Sequence, residues 1–323
     1  MNNLSWLNGA GDPIQCVALF HELANALETG PDYNCTVPIG FDASCSGLQH
    51  YALLARDYQT ALRANLVGSG APRDIYGEIL AHVRSRLSAR ASEDDAGAAW
   101  WLKHVDRKII KRLVMTYCYS SVPHGQADQI YAELHRRKIV IPDDAPKNLV
   151  SRLVSLTRHA IEIFVPLAEE IRRQLRARVD KKTPVRWVSP SGLPVANSYP
   201  KPRTESVRHY LHDKSVRCVV AAEWKKEQRV GKAKAAIAPN YVHSFDASHL
   251  ALVACACERE GIPLVTVHDS FGTLPCYADR LRAILLEELR NMYADYRPSP
   301  RPLVVPPVGD LDLNDVTGEY AFS

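Results

Sequence analysis

The sequence contains no long hydrophobic run, and this absence argues against a membrane-spanning protein. Although 46% of the 323 residues are hydrophobic, we find no stretch of about 18 uncharged apolar residues, the length that suggests a transmembrane helix. The N-terminus, MNNLSWLNGAGD, has neither the basic-then-apolar layout of a secretory signal nor the Arg-rich layout of a transit peptide. We therefore expect a soluble, cytoplasmic chain, long enough for a substantial core.

Metal-binding cysteine patterns are also absent. The chain has eight Cys residues, and in a cytoplasmic protein these are expected to be reduced thiols. Cys255 and Cys257 lie two residues apart in a helical pattern, and no paired CxxC or histidine set accompanies them. The spacing therefore excludes the usual kind of structural zinc site.

No internal repeat or low-complexity linker divides the chain, so one continuous order of elements can be predicted. Apolar periodicity predicts helices over residues 13–29, 45–57, 72–90, 98–118, 124–138, 146–180, 243–260 and 277–294. Strand and turn patterns predict a strand in TVPIGF, hairpins over 185–199 and 263–274, and a strand-like segment over 215–224. These patterns predict an α+β fold that is mostly helical, with a Pro-rich segment at 298–308 before an extended, acidic tail.

Charge is unevenly distributed along the chain. The net charge of +4 is too small to indicate a nucleic-acid partner by itself. Basic residues concentrate, however, in four runs, at 106–112, 135–138, 171–182 and 223–234, whereas the C-terminal segment is acidic. A long polyanion lying across these runs would explain the asymmetry. The alternative is that each run is only a solvated face.

Two carboxylates far apart in sequence each follow a predicted strand. Asp42 comes after TVPIGF, and Asp269 lies in the stretch VTVHDSFGTL. The two could meet on neighbouring strands of one small antiparallel sheet. Since Mg²⁺ is held by one or two carboxylates together with substrate phosphates, such a pair suggests a site for phosphoryl chemistry. The alternative is that each Asp only caps a turn or a helix.

Three long motifs carry a family resemblance. FDASCSGLQHYALLARD, RKIIKRLVMTYCYSS and PNYVHSFDASHL with VTVHDSFGTL resemble motifs A, B and C of single-subunit DNA-directed RNA polymerases of the phage T-seven and mitochondrial type. Shorter stretches, including DIYGEI and the final YAFS, are similar in the same order, so the resemblance covers residues from about 13 to the end.

The resemblance implies the right-hand polymerase fold. It implies a palm, built on a small antiparallel sheet with a catalytic hairpin, and helical fingers; the thumb and N-terminal domain of the family would be absent. Residues 1–65 would form the first part of the palm, 66–242 the fingers, and 243–323 the second part of the palm with the tail.

The resemblance also implies the metal ligands. Asp42 and Asp269 would hold two Mg²⁺ ions, and the backbone carbonyl of Ala43 would be a further ligand. One ion would activate the 3′-hydroxyl of the RNA, and the other would neutralise the triphosphate and the leaving pyrophosphate.

The remaining site residues implied by the resemblance are mostly cationic or aromatic. Arg107 and Lys111 stand four apart, so on a helix they project from one face towards one triphosphate, and Lys111 is the candidate general acid to pyrophosphate. Tyr119 resembles the tyrosine that senses the ribose 2′-hydroxyl. His243 resembles the histidine that contacts the newest base pair and the substrate ribose, and His268 would flank the metal site.

Three further positions complete this interpretation. Arg112 and Tyr76 are assigned to template or neighbouring active-site contacts. Ser120 stands where the family has Gly, and because Ser adopts positive φ less readily, this affects sugar selectivity and template positioning. The residues after Asp42 include no Glu of the kind that excludes ribose in related DNA polymerases, so ribonucleotide use is predicted.

The expected partners are a DNA template, an RNA transcript and NTPs, in the cytoplasm of a phage-infected or prophage-bearing bacterium. The missing thumb and N-terminal domain suggest a piece of a split polymerase that another chain completes. A truncated prophage gene, or a minimal polymerase that works on pre-formed primer-template, would also account for the short chain. A non-catalytic nucleic-acid-binding remnant is the alternative function.

Overall fold

The computed structural model describes residues 9–10, 12–119, 121–211, 214–267, 269–295, 303 and 309–323. The predicted positions 120 and 268, and most of the Pro-rich segment 298–308, lie outside the described residues. The described part is mostly helical with small antiparallel sheets, which confirms the predicted α+β class.

Helices form most of the core. They are α1 Pro13–Thr29, α2 Ser46–Ala55, α3 Tyr58–Arg63, α4 Ile75–Ala91, α5 Ala96–His104, α6 Arg107–Cys118, α7 Pro123–Arg136, α8 Leu149–Phe164, α9 Pro166–Ala177, α10 Val230–Glu260 and α11 Ala278–Asp295. Helix α2 is buried along nearly its whole length. One hydrophobic cluster joins α2 to α4–α11, so it runs through all three predicted segments. The division into palm and fingers stays a prediction.

The strands form three separate antiparallel units. They are β1 Ile39–Phe41, β2 Val185–Val188, β3 Pro194–Asn197, β4 Pro200–Leu211, β5 Lys214–Gln228, β6 Val265–Val267 and β7 Ser270–Thr273. The order β1-β7-β6 makes a three-stranded sheet, while β2 pairs with β3 and β4 with β5. The strand in TVPIGF and both predicted hairpins are thus confirmed.

Two long predicted helices are each broken in two, and the breaks have local causes. The prediction over 98–118 was wrong at residues 105–106, where Asp106 instead caps α6 by accepting a hydrogen bond of 3.0 Å from the Ile109 amide. The prediction over 146–180 was wrong at Val165. Pro166 follows it, and a proline disfavours helical geometry in the residue before it.

The region between β3 and the helix predicted over 243–260 differs most from expectation. The strand-like segment at 215–224 is part of β5, but its partner β4 was not predicted. Helix α10 begins at Val230 rather than at 243 and continues through Pro239. Buried Ala233 and Ile237 pack the added turns onto the molecule, and such packing outweighs the local cost of a proline.

The C-terminal segment packs closely against the start of the fold. The amide of Gly318 donates to the Leu66 carbonyl at 2.8 Å. A Cβ at this glycine would lie 1.9 Å from the Asn65 carbonyl oxygen, so only glycine lets the two backbones approach this closely. The segment then continues to Ser323, which pairs with Asp42.

We expect Gly318→Ala to lower the free energy of unfolding by about 1–3 kcal/mol, the usual cost of overpacking. Thermal and urea unfolding would measure it. The control is Gly231→Ala, because a Cβ at Gly231 meets nothing within 4 Å. Equal stability of the two variants would show that the tail does not pack as described.

Among the residues that the structure describes, no helix is both long enough and apolar enough to cross a membrane.

Candidate active site

The central sheet brings Asp42 and Asp269 together. Phe41 at the end of β1 pairs with Phe271 in β7, and Asp269 immediately precedes β7. Since the strands are antiparallel, Asp42 follows β1 at the same end of the sheet at which Asp269 precedes β7. The Ser270 hydroxyl donates to the Phe41 carbonyl at 3.2 Å and closes this end. The two carboxylates thus lie on neighbouring strands, as the sequence predicts.

Electrostatic repulsion between these carboxylates contributes to a raised pKa of Asp42. Burial raises the pKa of Asp42, and the nearby charge of Asp269 raises it further. A hydrogen bond from the Ala43 amide and the positive charge of Lys111 act in the opposite direction. Two carboxylates that repel each other at an accessible edge fit a divalent cation, whose preferred ligands are oxygen atoms.

The backbone after β1 also offers a suitable oxygen. Asp42 exchanges two backbone hydrogen bonds with Ser323, at 3.1 and 3.0 Å, and Ala43 faces Phe322 in an isolated bridge. In an antiparallel ladder, successive residues direct their backbone groups to opposite sides. The Ala43 carbonyl therefore points away from the tail, towards the side on which β7 and Asp269 lie.

This donor set is small. In the described ranges, no group of three or more His, Cys, Asp or Glu side chains could hold a metal ion. An ion at this edge would thus depend on the two carboxylates, the Ala43 carbonyl and oxygens from a substrate, which is the kind of incomplete protein cage that suits Mg²⁺.

Helix α6 supplies the positive wall of the site. The Arg107 guanidinium lies 5.3 Å and the Lys111 ammonium 5.5 Å from the centre of the Tyr76 ring, so the predicted common face exists. Tyr76 is buried and its hydroxyl donates to the Ser44 carbonyl at 3.2 Å. Both cations therefore lie over the ring of a buried tyrosine.

Arg107 has a partner that the sequence did not indicate. Its guanidinium donates to both Asp74 oxygens, at 2.6 and 3.0 Å. This pair is exposed to solvent, but its bidentate geometry is the kind that contributes to stability. A polyphosphate that binds Arg107 would have to displace Asp74.

A pocket of about 320 Å³ has both Asp42 and the two cations of α6 in its lining. It is lined by, among others, Asp42, Ala43, Tyr76, Arg107, Lys111 and Ser323. Arg112 is not among its lining residues, and its side chain lies 3.5 Å from Glu133 on α7.

Tyr119 and His243 lie against each other. Tyr119 directly follows α6 and stacks on His243, with ring centres 4.5 Å apart and planes 6° apart. The Tyr119 hydroxyl is 3.1 Å from the Ser46 hydroxyl. Burial, and then the negative charge of Asp246, raise the pKa of Tyr119, so its hydroxyl stays protonated at neutral pH.

His243 also lines a second pocket, of about 530 Å³, together with Asp246 and Asp269. Asp246 is the main residue of this region that the sequence reasoning missed. A signal was present, because His243 and Asp246 are three residues apart and share a helix face.

Part of the predicted basic surface is paired with acidic side chains or buried. Arg136 and Arg137 both donate to Glu133, and the Arg136 hydrogen bond, with the help of Arg137, lowers the pKa of that buried carboxylate to about 2 despite its desolvation. In the run 171–182, Arg172 is fully buried. The expectation of four basic surfaces for a polyanion is therefore only partly met.

The family follows from comparison with known proteins. A family model described as DNA-dependent RNA polymerase matches residues 1–297. The chain belongs to this polymerase family. The predicted resemblance is thereby confirmed.

Polymerases of plants are similar to the chain over nearly its whole length. It is 33% identical over 342 residues to DNA-directed RNA polymerase 1, mitochondrial, of Arabidopsis thaliana, covering 98% of this chain and 34% of that protein. It is 32% identical over 335 residues to DNA-directed RNA polymerase 2B, chloroplastic/mitochondrial, of Nicotiana tabacum, covering 96% and 32%. It is also 32% identical over 329 residues to the tobacco DNA-directed RNA polymerase 2A, covering 94% and 98%.

The chain thus spans about a third of the length of the first two of these polymerases. A solved structure, the POL domain of Pol1 from M. smegmatis in complex with DNA primer-template and dNTP, covers 82% of this chain and 38% of its own, with a TM-score of 0.38 and 14% identity.

Proposed function

We propose that this chain carries the nucleotidyl-transfer centre of a DNA-directed RNA polymerase. The observation that supports this most is the convergence of Asp42 and Asp269 from positions far apart in sequence, with Lys111 close enough to act on Asp42. Phosphoryl transfer needs positioning and charge stabilisation more than covalent chemistry, and this arrangement can supply both.

In this proposal Asp42, Asp269 and the Ala43 carbonyl hold two Mg²⁺ ions. When bound, the ions would activate the attacking hydroxyl and neutralise the leaving pyrophosphate. The donor set fits, since it consists of oxygens and includes a carboxylate pair whose repulsion a cation would relieve.

The cationic and aromatic side chains bind and orient the nucleotide. Arg107 exchanges Asp74 for the triphosphate, and Lys111 binds the same group and donates a proton to the leaving pyrophosphate. Tyr119 and His243 contact the sugar and the new base pair. Tyr76 supports the cations, and Arg112 contacts the template from the α7 side.

The substrates are NTPs, an RNA 3′-end and a DNA template. Helix α1 supports an additional partner, because its apolar side chains are largely exposed, as for Ile14 at 83% and Leu27 at 77%. Large exposed apolar surfaces often mark interaction sites.

Primer extension on an RNA/DNA scaffold with Mg²⁺ and NTPs tests the proposal. We expect the chain, alone or with a co-purified partner, to extend the RNA, and Asp269→Asn to abolish extension. No extension by either preparation would reject the enzyme and favour a nucleic-acid-binding remnant. Equal extension by Asp269→Asn would reject the site.

A further inference from the structure

A chain of hydrogen bonds connects α11 to the exposed edge of His243. The Tyr293 hydroxyl lies 2.7 Å from His50 Nδ1, and His50 Nε2 lies 2.8 Å from Asp246 Oδ1. The other Asp246 oxygen, Oδ2, lies 3.2 Å from His243 Nδ1. The side chains of His50 and Asp246 are 4% and 13% exposed, whereas that of His243 is 57% exposed. This series of hydrogen bonds thus starts in the core, at Tyr293, and ends at the pocket, at His243.

The carboxylate determines where the protons lie. Burial alone would raise the pKa of Asp246, but His50 and His243 hold it well below the ordinary range. An ionised carboxylate can only accept hydrogen bonds, so each imidazole nitrogen that faces it carries a proton. A neutral His243 therefore has its proton on Nδ1, and its Nε2 is an acceptor.

Two contacts fix this ring. Stacking on Tyr119 at 4.5 Å fixes the plane of the His243 imidazole, while Asp246 fixes its rotation and its tautomer. The Ser46 hydroxyl in turn holds the Tyr119 hydroxyl. The ring edge that carries Nε2 is left to meet a ligand.

We propose that Asp246 is a positioning residue, which holds His243 as the Nδ1–H tautomer so that Nε2 accepts a hydrogen bond from a sugar hydroxyl of the nucleotide. This inference rests on the proposed function, since it takes a nucleotide as the ligand. An acceptor at this position selects a ligand that donates, so a nucleotide lacking the hydroxyl loses one hydrogen bond.

Nuclear magnetic resonance of the full chain with ¹⁵N-labelled histidine tests the tautomer without requiring activity. Long-range ¹H–¹⁵N correlations, recorded where the imidazoles are neutral, distinguish the two tautomers, and loss of a signal in His243→Gln assigns it. We expect His243 to carry its proton on Nδ1. Asp246→Ala should convert this single tautomer into a mixture.

Two further variants make this test decisive. Asp246→Asn keeps the shape but has only one acceptor oxygen, so at least one of His50 and His243 must change tautomer even if the alanine variant fails to fold. Asp279→Asn changes a fully exposed carboxylate on α11 and should leave the imidazole signals of His50 and His243 unchanged. A proton on Nε2 of His243 in the unmodified chain, or unchanged signals in every folded Asp246 variant, would overturn the inference.

Binding of ATP, 2′-deoxy-ATP and 3′-deoxy-ATP, titrated with Mg²⁺ present, tests the ligand. We expect ATP to bind about threefold to tenfold more tightly than one of the two deoxy analogues, which is the contribution of one hydrogen bond. Asp246→Ala should abolish this difference in affinity. A preference that survives in Asp246→Ala would overturn the inference and leave the proposed function standing. If the unmodified chain binds no nucleotide but shows the expected tautomer, the proposed function and the ligand are rejected. The tautomer assignment then stands.

Discussion

Asp42→Asn should lower nucleotide incorporation by at least about 10²- to 10³-fold, the scale on which removal of one preorganised electrostatic group acts. The same substitution should raise the melting temperature of the metal-free protein at neutral pH. Asn keeps the shape of the side chain but removes the charge that Asp269 repels. Single-nucleotide extension and thermal unfolding measure the two effects.

The stability effect has a defined pH dependence. The pKa of Asp42 is raised above its ordinary value of 3.8 by burial and by Asp269, so the folded state binds this proton more tightly than the unfolded state. Folding stability therefore falls as pH rises from that ordinary value through the raised one. The advantage of Asp42→Asn should appear over this interval and vanish below it, where Asp42 is protonated in both states.

Mg²⁺ should reverse the order of stability. An ion that binds only the folded state stabilises it by about 2.7 kcal/mol at 100 times its dissociation constant, and Asp42→Asn should lose most of this gain. Asp279→Asn, on the exposed face of α11, is the control and should respond to Mg²⁺ as the unmodified chain does. An equal response of all three proteins would mean that Asp42 holds no ion in the absence of a substrate.

The carboxylate pair could be predicted because its signals are local. Asp42 and Asp269 each follow a recognisable strand, and a small antiparallel sheet can place such positions side by side. Arg107 and Lys111 were predictable for a similar reason, since a spacing of four places both on one helix face.

The partners of these residues could not be predicted in this way. Asp74 meets Arg107 across a separation of 33 residues, and Asp246 meets His50 across 196. Such pairs depend on how helices pack, which a periodic pattern does not specify. The stacking of Tyr119 on His243 has the same origin, because Tyr119 lies just beyond the end of α6 and the partner ring comes from α10.

Local signals were also misread in two places. Strand β4 contains Pro200 and Pro202 and many charged side chains, features that argue against a central strand. They are compatible with a two-stranded unit, in which each strand has a free edge. The break before Pro166, in contrast, was readable from the sequence, because a proline at the first helical position often marks a helix start.

A buried arginine gives the second large effect. Arg172 is fully buried, donates to Glu169 Oε2 at 2.5 Å, and lies with its guanidinium carbon 3.9 Å from the centre of the Tyr117 ring. Its Nε and Nη2 atoms have no hydrogen-bond partner among the residues that the structure describes. The Tyr117 hydroxyl also donates to Glu169, at 2.6 Å. Glu169 is therefore the main group that compensates a buried positive charge.

Glu169→Ala should lower the free energy of unfolding by about 2 kcal/mol, since it removes the partner of a buried positive charge while Glu169 itself is 34% exposed. The matched control lies one residue further along α9, because Glu170 and Arg173 have the same three-residue spacing but an exposed arginine, at 73%. Glu170→Ala should cost no more than about 1 kcal/mol. Urea unfolding of both variants measures the difference.

Because salt screens the exposed pair more than the buried one, high salt should leave the effect of Glu169→Ala largely intact. Similar losses in the two variants would show that burial of Arg172 does not depend on Glu169.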